Sequence, residues 1–145
     1  MRRIAIASDH GGFELKEELR RALTGGNLDL VDLGCGSAIE SVDYPDYAGL
    51  LCDEILSGRA ERGILVCGTG IGMSIAANRR RGIRAALCWD PFTARMAREH
   101  NDANVLCLGG RVLVASTAIE IAREFLCGAF AGGRHSLRLA KIDPS

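Results

Sequence analysis

Cys67 heads an unusual stretch of the chain, Cys67-Gly68-Thr69-Gly70-Ile71-Gly72. Glycines let a backbone approach a ligand closely and adopt dihedrals closed to other residues. The apolar run before Cys67 predicts a strand ending there, and a helix is expected to begin near Ile71. Free N–H groups and the positive end of the helix dipole would then face the space above Cys67. Such an environment stabilises an anion and favours the Cys67 thiolate. The pattern alone fits a tight strand-to-helix turn with a buried cysteine equally well. It is not the dinucleotide fingerprint G-x-G-x-x-G, which belongs after a first strand, and no Walker lysine follows.

Other residues of the same kind are scattered along the chain. Asp9-His10 offers a carboxylate and an imidazole at a strand end, able to hold a sugar hydroxyl and a phosphate, or simply to cap a surface turn. His100-Asn101-Asp102 closes a predicted helix. Histidine is the natural acid–base group at neutral pH, yet a histidine at a helix C-terminus also pairs favourably with the dipole. Arg111 follows Gly109-Gly110. Arg134 and Arg138 are four apart, so on a helix they point the same way, a pairing that suits phosphate or a solvated basic face. His135 falls off that face and stays unassigned. The run Arg79-Arg80-Arg81 reads as decoration of a helix C-terminus rather than a nucleic-acid patch.

The elements that must position these residues are short. Five apolar runs, Arg3–Ser8, Leu28–Leu33, Gly63–Cys67, Ile83–Cys88 and Asn104–Leu108, are expected to be buried strands. Amphipathic stretches lie between them. Leu15, Leu19, Ala22 and Leu23 share one helical face, as do Ala48, Leu51, Cys52 and Ile55, and Ala118, Ile121, Ala122 and Phe125. Pro45 and Pro91 stand where first helical turns would begin, Pro91 behind a capping Asp90. Thr117 with Glu120 reads as a capping box. Strict alternation predicts an α/β fold: one doubly wound, Rossmann-like parallel sheet of five strands, in the flavodoxin-type order 2-1-3-4-5. A single domain is expected over residues 1–145, with residues 128–145 as a C-terminal arm and a short helix from Arg134 to Ile142. Ligands of such a sheet bind beyond the carboxyl ends of the strands, where strand order reverses. That point brings the loops after Ser8 and Cys67 side by side.

Composition narrows the function classes. With 48% hydrophobic and 25% charged residues and a formal net charge of zero, the chain shows no electrostatic grip on nucleic acid or an anionic membrane. No signal peptide or membrane span is apparent, and the expected compartment is the cytoplasm. None of the six cysteines forms a C-x-x-C pair, so zinc and thioredoxin-like readings fail. Most should be small buried hydrophobes.

Five motifs then follow in order: Ser8-Asp9-His10-Gly11-Gly12-Phe13, Asp43-Tyr44-Pro45-Asp46-Tyr47-Ala48, the run from Cys67 to Asn78, Arg98-Glu99-His100-Asn101-Asp102-Ala103-Asn104, and Gly132-Gly133-Arg134-His135. Across nearly the whole chain they resemble the type B ribose-5-phosphate isomerase family, which also holds the galactose-6-phosphate isomerase subunits. The resemblance implies an aldose–ketose isomerase with no metal or other cofactor. It implies Cys67 as the base moving a proton between C1 and C2, and His100 as the group that opens the furanose ring. Gly68, Thr69, Gly70, Ile71 and Gly72, with Asn101, would hold the enediolate oxygen. His10, Arg111, Arg134 and Arg138 would bind phosphate and Asp9 the sugar hydroxyls, with Tyr44 near the sugar. One branch of the family replaces the cysteine with a later glutamate. That position aligns with Met73, which cannot be a base, so the resemblance is to the cysteine branch. D-ribose 5-phosphate is the expected substrate. An allose-, galactose- or erythrose-phosphate, an FMN- or nucleotide-binding module, and a structural subunit beside a catalytic paralogue are the alternatives.

These roles conflict with a single protomer. Asp9, His10 and Cys67 end parallel strands at the top of the sheet, whereas His100 and Asn101 end a helix running to the bottom. A strand length, on the order of 17–20 Å, separates the two. A site using both ends requires a homodimer or a dimer of dimers with a shared active site.

Overall fold

The computed structural model describes residues 1–143, so Pro144 and Ser145 of the arm lie outside the described residues. Five strands form one parallel sheet: β1 (Arg2–Ser8), β2 (Leu28–Asp32), β3 (Arg62–Cys67), β4 (Ala85–Leu87) and β5 (Val105–Gly109). Helices α1 (Phe13–Leu23), α2 (Tyr44–Leu56), α3 (Ile71–Asn78), α4 (Pro91–Glu99) and α5 (Ala115–Cys127) connect or follow them, and α6 (Arg134–Ile142) forms the arm. A strand sends alternate side chains to opposite faces, and the core divides accordingly. Ile4, Ile6, Ile64, Val66, Leu106 and Leu108 meet the apolar stripes of α1, α4 and α5. Ala5, Ala7, Leu65, Cys67, Val105 and Cys107 meet α2 and α3. The helical faces expected from periodicity are the ones buried, with Leu15, Leu19 and Leu23 on α1 and Ala118, Ile121, Ala122 and Phe125 on α5. The α/β class and parallel sheet are as expected.

The strand order is not. It runs β2-β1-β3-β5-β4, so the last two strands exchange places relative to 2-1-3-4-5. The reason is burial. Every residue of β5 is buried, which demands a neighbour on each side and helices on both faces. β4 has three half-buried residues and suits an edge. Its free edge is closed by Asn78, whose side chain donates to the Ala85 carbonyl at 2.9 Å and accepts from the Ala85 N–H at 2.8 Å. The exchange places β5, and the loop after it, directly beside β3 and Cys67.

Helix starts follow local chemistry. Asp90 caps α4 by accepting from the Thr93 N–H at 2.7 Å ahead of Pro91 in the first turn, and Pro45 lies in the first turn of α2. The expected Thr117/Glu120 capping box is absent. α5 begins at Ala115 with Val114 as N-cap, because Ala115 and Ala118 both pack on the core and burial extends the helix upstream of Thr117.

Candidate active site

Three loops meet above the carboxyl ends of β1, β3 and β5. The first starts at Asp9, whose carboxylate accepts from the Gly12 N–H at 3.0 Å and caps a single 3-10 turn over His10–Gly12. That turn lies against β3 so closely that a Cβ on Gly12 would stand 2.3 Å from the Val66 carbonyl oxygen. The second is the Cys67 loop. Gly70 has φ +82°, the left-handed conformation a tight strand-to-helix reversal needs, and it aims its N–H at Cys67 Sγ, 3.2 Å away. Helix α3 begins at Ile71, as expected, so its N-terminus opens above the sulfur. The third loop follows β5. The Gly110 N–H donates to the Cys67 carbonyl at 2.8 Å and the Arg111 N–H to the Gly68 carbonyl at 2.9 Å.

Arg111 bridges the loops. Its guanidinium would lie 3.3 Å from a Cβ on Gly11 and 3.0 Å from one on Gly68, so both glycines leave room for it. Tyr44, first residue of α2, covers Gly72, where a Cβ would meet its ring at 2.7 Å. An open cleft of about 440 Å³ results, lined by Asp9, Tyr44, Cys67, Gly68, Thr69, Ile71, Gly72, Ile75 and Arg111. It presents one nucleophilic sulfur, one carboxylate, one guanidinium and a helix N-terminus. Burial pushes the Cys52 and Cys88 thiols up to about 11, and that of Cys107 well above its ordinary value. These three are inert fillers of the core. Among the described residues no cluster of three or more His, Cys, Asp or Glu side chains could hold a metal ion.

The remaining expected residues lie elsewhere. His100 is the C-cap of α4 and Asn101 follows it, at the opposite end of the sheet. Gly63 pairs with Val105 and Cys67 with Gly109, so the residues before β5 sit about 17 Å below the cleft at 3.3 Å per residue. Arg134 and Arg138 are exposed on α6, which packs at this lower end through the Ala131 N–H to the Glu99 carbonyl, 2.9 Å. His10 is half-buried at the upper end. Its Nδ1 accepts from the Val42 N–H at 3.2 Å, tying the first loop to the segment before α2.

A family model described as ribose/galactose isomerase matches residues 4–142. The chain belongs to the ribose/galactose isomerase family. Ribose-5-phosphate isomerase B of Escherichia coli is 42% identical over 142 residues, covering 98% of this chain and 95% of that protein. The crystal structure of a ribose 5-phosphate isomerase from Thermotoga maritima superposes with a TM-score of 0.95 at 56% identity, covering 99% of this chain and 98% of that one. The type B enzyme of Trypanosoma brucei gives 0.94 at 49% identity, covering 99% and 97%. The chain is therefore an enzyme, a sugar-phosphate isomerase. No helix among the described residues is long and apolar enough to cross a membrane.

The isomerase thus brings Asp9, Cys67, Gly68 to Gly72, Arg111 and Tyr44 into one cleft and holds His100, Asn101, Arg134 and Arg138 apart from it. Sequence reasoning missed His135. It is buried and its ring stacks on that of His100, with centroids 4.2 Å apart and planes 18° from parallel. Leu139, one turn later and also buried, marks the inward face of α6 and was the signal available.

Proposed function

We propose that this isomerase interconverts D-ribose 5-phosphate and D-ribulose 5-phosphate through a cis-enediolate, with Cys67 as base, at a site built by two protomers. The observation that carries this reading is Cys67 Sγ at the floor of the cleft, with the Gly70 N–H and the α3 N-terminus gathered around it. The relatives named ribose-5-phosphate isomerase B support the choice of sugar.

The chemistry runs in two stages. His100 takes the proton of the C1 hydroxyl and returns one to the ring oxygen, so the furanose opens to the aldehyde. The Cys67 thiolate then removes the C2 proton, and the electron pair moves onto the carbonyl oxygen as an enediolate. Backbone N–H groups from Gly68 to Gly72 and the Asn101 amide stabilise that oxygen. A proton passes between the two oxygens, and the Cys67 thiol returns its proton to C1 to give the ketose. Asp9 holds sugar hydroxyls. Arg111, His10, Arg134 and Arg138 grip the phosphate, and this remote binding energy orients the reacting carbons. No step needs a metal or cofactor.

The two ends of one protomer are about 17 Å apart, so His100, Asn101 and the α6 arginines would reach the cleft of a second copy. A two-fold dimer, alone or paired into a dimer of dimers, closes two such sites. Turnover of ribose 5-phosphate beside allose-, galactose- and erythrose-phosphates tests the substrate. The pentose should give the highest kcat/KM, undiminished by a chelator. A hexose or tetrose phosphate preferred tenfold would replace it.

A further inference from the structure

Two imidazoles, those of His100 and His135, stack at the lower end of the sheet. His100 is half-buried at the end of α4, and one of its ring faces is covered by His135, which is only 6% exposed. The two belong to elements that hold each other. The Ala131 N–H donates to the Glu99 carbonyl at 2.9 Å, and His135 and Leu139 are the two buried side chains of α6. An imidazole at a helix end otherwise turns about χ2 with little preference. Acid–base work on a ring oxygen demands the opposite, one nitrogen held within hydrogen-bond reach of one proton.

We propose that His135 is a positioning residue for His100: its stacked ring fixes the plane in which His100 presents its nitrogens to the furanose. This rests on the ring-opening role proposed above for His100. Stacking occupies a face and leaves the edges, where both nitrogens lie, open to substrate. It also forbids a relay, because the nitrogens of stacked rings do not point at each other. The charge state suits the task. Burial, then His100, Arg134 and Arg138, hold the His135 imidazole below its ordinary range. A neutral ring attracts the imidazolium that His100 becomes, whereas a second cation would repel it.

Substrate chemistry supplies a test. A ketopentose phosphorylated on O5 has its carbonyl at C2 and no hydroxyl free to close a five-membered ring, so it is acyclic. Exchange of its C1 proton with solvent deuterium reports the Cys67 step alone, whereas turnover of ribose 5-phosphate also needs ring opening. His135→Ala should lower aldose kcat by about tenfold to a hundredfold. It should leave deuterium exchange from the ketose within about twofold and KM little changed, since ring opening alone is impaired. His135→Phe, which keeps a stacking ring, should recover most of the loss. His100→Ala, measured alongside, should show the same split more deeply. Equal loss in both assays, no loss in either, or no recovery by His135→Phe would overturn the positioning role while the His100 split stands. If His100→Ala itself shows no split, the ring-opening reading fails first and the proposal falls with it.

Discussion

Six cysteines share one chain, and only their surroundings separate them. Cys52, Cys88 and Cys107 are buried in the core, and burial raises their thiols. Cys67 is nearly as buried, yet its sulfur lines the cleft and receives the Gly70 N–H. Removing that one sulfur should abolish proton transfer and little else. Cys67→Ala is expected to lower kcat by at least about 10³-fold, with an unchanged far-UV spectrum and unfolding midpoint. Cys52→Ala should keep near-normal turnover at some cost in stability. Activity surviving in Cys67→Ala would place the base at another residue. Arg111 shows the same dependence on surroundings. Its guanidinium can lie between the loops because Gly11 and Gly68 put no side chain in its way.

Helix α6 meets the body of the molecule at His135, and that contact titrates. His135 faces His100 from the end of α4 and lies near Arg134 and Arg138 of its own helix. Burial and these neighbours lower its pKa from the ordinary 6.5, so protonating it costs more in the fold than in the unfolded chain. The sign follows. Above about pH 6.5 the ring is neutral in both states and contributes no penalty. As pH falls through that value, the unfolded chain takes up the proton first and stability is lost. Urea unfolding of the wild type and His135→Phe at pH 7.5 and pH 5.5 measures this. The stability gap should shift in favour of the variant at the lower pH, because the variant lacks the penalised proton. A gap that does not move with pH would mean His135 titrates alike in both states.

At the scale of the whole molecule, the decisive arrangement is that the residues of the proposed site lie at two ends of one chain. Asp9, Cys67 and Arg111 share the upper cleft, and His100 with the α6 arginines lies a strand length below. Complementation tests whether a second copy joins them. Cys67→Ala and His100→Ala proteins, each inactive alone, are mixed and allowed to exchange subunits. A mixed dimer keeps one intact site of two, so random exchange should restore about a quarter of wild-type activity. Proven exchange with no recovery would confine each site to its own chain.

The alternation of apolar runs and amphipathic stretches, with the glycines that break them, was enough to read the parallel sheet, the start of α3 at Ile71 behind Gly70 and the extent of α6 behind Gly133, because each rests on local period and backbone punctuation. Topology alone then brought the loops after Ser8 and Cys67 together. The order of β4 and β5 was not legible. Both are short apolar runs, and which one takes the inner place depends on how many faces the finished sheet must cover. The approach of Arg111 to Gly68 depends on that exchange, since it puts β5 beside β3. The partner of His135 was not readable for a similar reason. Its period marks it as inward-facing, but only the docking of α6 on the end of α4 decides that it meets His100. Lys16 shows the limit plainly. It lies among the apolar positions of α1 and is fully buried, with Nζ 2.9 Å from Asp32 at the end of β2. Periodicity is a property of the chain and fixes which side of an element faces in. The partner found there is set by long-range packing, which joins residues that no local pattern relates.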